Sequence, residues 1–185
     1  MDQASAVAAQ HFPWNRGRLV GQKLSLRLKE IWAIRIRLQL ARQARELALC
    51  NLAIDSKLRG YDLVSLRVCD VAQGNRVVAR ALVLQRKPQR PVQFELTEQT
   101  RDSVGAWVAK AQLQPDQSLF PSQLRASPHL STRQYSRIVD RWVVSVGLDP
   151  AGYSTHSMRR TKATLIYRRT KNLRAIQASV GTREA

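Results

Sequence analysis

Thr155-His156-Ser157-Met158-Arg159-Arg160-Thr161-Lys162-Ala163-Thr164 is the stretch that decides the reading of this chain. Its first hydroxyl residue, Thr155, can cap a helix, and His156, Arg159, Ala163 and Ile166 then recur at three and four, the spacing of one helical face. A histidine and an arginine three apart share that face near the positive end of the helix dipole, where an anion is favoured. By itself the pair says little. With 3 His and 24 Arg among 185 residues, a chance His-x-x-Arg is common.

The charge around it is more telling. The chain carries 31 Lys+Arg against 13 Asp+Glu, net +18. Residues 156–185 hold eight basic and one acidic residue, and residues 14–45 hold nine basic and one acidic, so two basic blocks flank a nearly balanced centre. A polyanion is the simplest partner, because each Lys or Arg set on a phosphate releases condensed counterions. Arginine dominates (24 Arg, 7 Lys), and its fork suits bidentate phosphate contact better than it suits a membrane surface or an acidic protein. No run approaches the roughly 18 apolar residues of a membrane span, and residues 1–13 lack a signal peptide's pattern, so a cytoplasmic, nucleoid-associated protein is expected. Cys50 and Cys69 match no metal spacing and read as buried free thiols.

Working outward, residues 1–24 have no sustained period and read as a flexible basic arm carrying Arg16 and Arg18, with one domain over residues 25–185. Leu28, Ile31, Trp32, Arg35 and Ile36 predict a first helix, and Leu47, Ala48 and Leu52 a second over residues 44–53. Residues 61–66 suggest a short third, with Gly60 and Asp62 at its start. Residues 76–85 and 91–96 are β-rich, the second with Val92, Phe94 and Leu96 on one face, and Lys87-Pro88-Gln89-Arg90 makes the turn between them. Residues 98–112 return to helix and residues 114–129 form a loop. Ser131 caps a helix to about residue 146, Asp149-Pro150-Ala151-Gly152 breaks it, and residues 172–180 supply a last amphipathic turn or more. The expected class is α+β, mainly helical, with a small antiparallel hairpin or three-stranded sheet.

Three stretches stand in a telling order before the final amphipathic segment: Leu52-Ala-Ile-Asp-Ser-Lys-Leu-Arg59-Gly-Tyr-Asp-Leu-Val-Ser-Leu66, then Gln85-Arg-Lys87-Pro-Gln-Arg-Pro-Val-Gln-Phe-Glu-Leu96, then the His156-x-x-Arg159 helix. In this order the chain resembles the catalytic domain of the tyrosine recombinases, the phage integrase family. The resemblance implies DNA integration or recombination in a mobile element, by attack of a tyrosine hydroxyl on a DNA phosphodiester. A 3′-phosphotyrosyl link forms and a 5′-hydroxyl leaves, without metal or other cofactor. Arg59 and Arg159 would fork onto the non-bridging oxygens where charge develops, Lys87 would protonate the leaving oxygen, and His156 would handle the nucleophile's proton or orient the phosphate. Arg160, Lys162, Arg168, Arg169, Lys171 and Arg174 would position the DNA backbone. Duplex DNA is the expected partner, with other recombinase protomers in a synaptic complex, and no membrane or small-molecule substrate.

The chain also departs from the pattern. Thr182 stands where the family has a second histidine or a tryptophan. The nucleophilic tyrosine belongs about thirty residues beyond Arg159, and Ala185 is the last residue, 26 positions on. Tyr61, Tyr135 and Tyr153 lie in segments that match other parts of the pattern, and Tyr167, two helical turns past Arg159, reads as a packing or backbone-contact residue. A truncated domain unable to cleave DNA alone is therefore expected, so whether the chain is an enzyme stays open. The alternatives are a non-catalytic DNA-binding remnant or regulator and, against the 6% aromatic content, a basic RNA-binding protein.

Overall fold

The computed structural model describes residues 23–74, 76–86, 90–123 and 127–172. Its elements run α1 (Leu28–Leu40), α2 (Ala44–Ser56), α3 (Gly60–Val64), a 3-10 turn (Val68–Asp70), β1 (Ala72–Gln73), β2 (Arg76–Val77), β3 (Arg80–Leu84), β4 (Pro91–Glu95), α4 (Glu98–Ala111), α5 (Thr132–Ser145), a second 3-10 turn (Pro150–Gly152) and α6 (Thr155–Thr170). The class is the expected one, helical with small antiparallel ribbons. Residues 1–22, the Lys87 turn and the predicted 172–180 segment beyond Asn172 lie outside the described residues, and so do Arg16, Arg18, Arg174 and Thr182.

Helix α2 is the centre. Every residue from Ala48 to Ser56 is buried, because α1, α3, α4 and α6 all pack on it. Ala48, Leu49, Cys50, Leu52, Ala53 and Ile54, interrupted only by the buried Asn51, leave this half of the helix no face to give to water. Its neighbour α1 buries Ile31, Ile34 and Leu38 and leaves Leu28, Trp32 and Ile36 about half exposed. The helical period counts Trp32 and Ile36 together with Ile31, and only Ile31 of the three is buried. Two apolar stripes adjoin on this helix, the period fits both, and packing against α2 and α5 selects the rotation.

The β segment differs from one long strand over residues 76–85. Val78 N–H donates to Val71 O and Leu96 N–H to Ala79 O, so residues 78 and 79 serve two different partners and the chain breaks there. Among the described residues there are then two ribbons, β1–β2 and β3–β4, with no third strand joining either. The β3–β4 register pairs Arg80 with Glu95 and Leu84 with Pro91, and Gln85 N–H donates to Arg90 O, which closes a hairpin around residues 86–89. Phe94 and Leu96 are buried and Val92 half-buried on the predicted face.

Helix starts follow local chemistry. Ser131 caps α5 as expected, its Oγ accepting from Gln134 N–H at 3.1 Å. Helix α6 is capped by Ser154 rather than Thr155: Ser154 Oγ accepts from His156 N–H, and Ser157 Oγ accepts from Ser154 N–H at 3.1 Å. Ser154 has extended backbone angles and Thr155 is already helical, so the serine takes the cap. Cys50 is buried as expected, but Cys69, in the exposed 3-10 turn, is not. No described helix is long and apolar enough to cross a membrane.

One buried carboxylate ties these parts together. Asp55, near the end of α2, accepts from Thr97 N–H and Thr97 hydroxyl (both 2.8 Å), from Thr100 hydroxyl (2.6 Å) and from Lys162 Nζ (3.2 Å). Lys162 is thus turned inward as the ion-pair partner of Asp55, a correction to its expected place on the DNA backbone. Burial alone would raise the Asp55 carboxyl, but Lys162 and the Thr100 and Thr97 donors outweigh it and hold the group below its usual range. The contribution of Asp55 to stability is therefore complete above its unfolded value near 3.8 and is lost as pH falls through the lower folded value. Asp55→Ala removes the charge partner of Lys162, which keeps only the Asp55 and Glu95 carbonyls, and takes the carboxylate acceptor from Thr97 and Thr100. It should cost about 3 kcal/mol at pH 7, near 10 °C in Tm, with the loss shrinking in acid; an unchanged Tm at pH 7 refutes the anchor.

Candidate phosphate-binding site

The site is assembled at the junction that Asp55 fixes. Beyond Ser56 the chain turns through Lys57, whose φ of 54° is left-handed, and runs extended to Arg59 before α3 begins. Gly60 then lies against both other walls: a Cβ there would meet Tyr135 ring carbons of α5 at 3.5 and 3.6 Å and Thr155 Cβ of α6 at 3.8 Å. The start of α3 and the start of α6 are therefore in contact. This brings Arg59 beside the His156–Arg159 turn, a hundred residues later in sequence.

The electrostatics of the junction are unusual. Arg59 is half-buried, and its Nη1 is buried with no hydrogen-bond partner. Arg159 is half-buried on the first turns of α6; burial, then the like charge of Arg59, lower its hold on its proton, and Asp62 opposes them. Two guanidiniums lie within mutual influence, and one of them carries a buried donor with no acceptor in the protein, which is costly. His156 stands exposed on the same first turn, with its backbone N–H committed to the Ser154 cap. The structure thus brings Arg59, His156 and Arg159 together. Lys87 follows Arg86 at the end of β3 and itself lies outside the described residues.

Of the other cations, Arg160 is half-buried with an unpartnered Nε, whereas Arg168, Arg169 and Lys171 are exposed at the end of α6, Lys171 Nζ lying 5.8 Å from the centre of the Tyr167 ring. The sequence reading missed Asp62. This buried carboxylate accepts from Arg86 N–H at 3.2 Å, faces Arg159 electrostatically, and keeps its Oδ2 without a partner. Its spacing of three from Arg59 at the opening of α3 was the available signal. Lys57 was missed as well: burial, then Lys162, push its ammonium down to about 8, with Asp55 opposing. Among the described residues no group of histidine, cysteine and carboxylate side chains could hold a metal.

A model of the phage integrase family matches residues 26–184. The chain belongs to this family. Its fold is that of a tyrosine recombinase catalytic domain: it superposes on XerA recombinase with a TM-score of 0.71 at 18% identity, over 87% of this chain and 55% of that one. The XerH site-specific recombinase bound to its palindromic difH substrate gives 0.68 at 20%, over 90% and 49%. Lambda integrase residues 75–356 bound to DNA give 0.62 at 18%, over 87% and 56%. The chain thus spans about half the length of the solved structures it matches. No curated protein sequence matches it.

An arginine kept half-buried with an orphaned donor costs stability when no anion is bound. Arg59→Met should therefore raise Tm by about 2–4 °C, roughly 1 kcal/mol, while weakening binding to duplex DNA. A lower Tm in a normally folded variant would show Arg59 to be a structural residue.

Proposed function

We propose that this chain is the phosphate-gripping part of a DNA strand-transfer site, and that duplex DNA is its partner. The observation that carries the reading is the buried, unpartnered Nη1 of Arg59 set beside the half-buried Arg159. A phosphodiester supplies the missing acceptors, and in a pentacoordinate transition state its non-bridging oxygens gain charge where those fixed donors wait. His156, on the exposed rim, orients the phosphate or takes the nucleophile's proton. Lys87, next to Arg86 in the hairpin turn, protonates the leaving oxygen. The DNA-bound state of XerH and of lambda integrase, whose fold this chain shares, supports the choice of DNA.

Exposed Arg168, Arg169 and Lys171, with Arg160 and the sequence-assigned Arg16, Arg18 and Arg174, hold the backbone and set register rather than do chemistry. With several such contacts, affinity falls steeply with salt. In this reading residues 1–24 are a basic arm to the domain, and recombinase protomers meet on the DNA.

None of the four tyrosines serves as the nucleophile in this reading. Tyr135 is sealed in the core, where burial raises its hydroxyl far above neutrality. Tyr61 accepts a hydrogen bond from Arg86, Tyr153 closes the second 3-10 turn with its N–H donating to Pro150 O, and Tyr167 stands on α6 two turns beyond Arg159, beside Lys171. These 185 residues therefore bind and polarise the phosphodiester, and the nucleophilic tyrosine would come from outside them.

A nicked suicide duplex tests this directly. The protein should bind it, Arg59→Ala and Arg159→Ala should each weaken binding by about tenfold, and no covalent adduct should survive a denaturing gel. An adduct mapped to any of the four tyrosines would overturn the assignment. Full duplex affinity in both arginine variants would favour a non-catalytic DNA-binding module instead.

A further inference from the structure

A cavity of about 770 Å³ adjoins α3, and neither Arg59, His156 nor Arg159 lines it. Its size suits a compact organic ligand, for which pockets of about 300–1,000 Å³ are usual. Its lining is polar: Arg67, Arg86 and His129 face a single carboxylate, Asp116. An apolar ligand finds little there.

Three flat groups meet at one wall. The Arg86 guanidinium lies over the Tyr61 ring, 5.2 Å from its centre, and Arg86 Nη1 donates to Tyr61 hydroxyl at 2.7 Å. The His129 ring meets Tyr61 edge-on, 6.0 Å between centres at 88°. Each member is fixed from behind. Asp62 accepts from Arg86 N–H, and His129 Nδ1 lies 2.9 Å from Leu130 O. A carbonyl can only accept, so Nδ1 carries the hydrogen and Nε2 is left for another partner. Tyr61 nevertheless stays 40% exposed, which is unusual for a ring held on two sides.

Flat groups beside cations match the two halves of a nucleotide, a base with a π-face and a phosphate. Position adds a second argument. Tyr61 is two residues past Arg59, so their Cα atoms are at most about 7 Å apart, and a strand held at Arg59 has its neighbouring nucleotides within reach. We infer that the cleft receives one unpaired nucleotide of the DNA strand held at Arg59 and Arg159, with its base on Tyr61 and His129 and its phosphate facing Arg86 and Arg67. This rests on the proposed strand-transfer reading and adds to it a site for a second nucleotide.

Unpairing a base within intact duplex costs energy that stacking in the cleft returns only in part, whereas a base that is already unpaired gains the whole of the contact. The protein should therefore prefer a duplex carrying a single-nucleotide flap beside a nick over the fully paired nicked duplex, by about tenfold at matched salt. An abasic flap should lose that preference. So should Tyr61→Ala, and His129→Ala, in the loop before α5, should reduce it; Tyr61→Phe, which keeps the ring, should retain it. Equal binding of flap and paired duplex, or a preference that survives the abasic flap or Tyr61→Ala in a protein with native circular dichroism, overturns the inference. Failure of the underlying reading would look different: both duplexes would then be bound unaffected by Arg59→Ala.

Discussion

Asp55 is the constraint on which the rest of the molecule depends. A carboxylate buried at the end of the central helix is tolerable only if nearly every lone pair is used, and here Thr97, Thr100 and Lys162 use them. Those partners come from the β4–α4 junction and from α6, so satisfying one charge fastens the C-terminal end of α2 to both. The spacing then carries the function: Arg59 is four residues beyond Asp55, and Arg159 lies three before Lys162 on α6. Pinning Asp55 to Lys162 fixes the two guanidiniums near each other, and the contact of Gly60 with Tyr135 and Thr155 closes the remaining freedom.

The site built this way is stressed. Two like charges share a half-buried junction, a donor of Arg59 and an oxygen of Asp62 lack partners, and Lys57 is held in a left-handed turn with a weakened ammonium. A fold selected only for stability would place leucines there. In the proposed reading a phosphodiester, with one negative charge shared by two non-bridging oxygens, relieves the arginines together. The orphaned Arg59 donor asks for an acceptor, whereas the Asp62 oxygen asks for a donor and is not met by such a ligand. Asp62 also accepts from Arg86 N–H at the edge of the neighbouring cleft and so links the arginine junction to Tyr61.

Much of the fold was legible in the sequence because it rests on local rules. The helices, the hairpin and the Ser131 cap follow from period, β-branched content and side-chain oxygens, and those that fall on described residues are present. What misled was local ambiguity that only packing resolves. Two apolar stripes on α1 fit the same period, and the one containing Trp32 lost. Thr155 and Ser154 are both good caps, and the extended backbone at Ser154 decided between them. A β-rich run over residues 76–85 split because Val78 and Ala79 bond to different neighbours.

The order Arg59, Lys87, His156, Arg159 determined the family from sequence alone, and the two basic blocks pointed to a polyanionic partner, since order and charge survive without coordinates. Tertiary structure alone decided which cations turn inward. Lys162, on the same helix as Arg159 and no different in sequence terms, pairs with Asp55, and Asp62 emerged as the carboxylate between Arg159 and Arg86. The reason is that a side chain's charge is written in its residue type, whereas its partner is set by packing between segments a hundred residues apart, where burial turns an ordinary cation into either an anchor or an anion site.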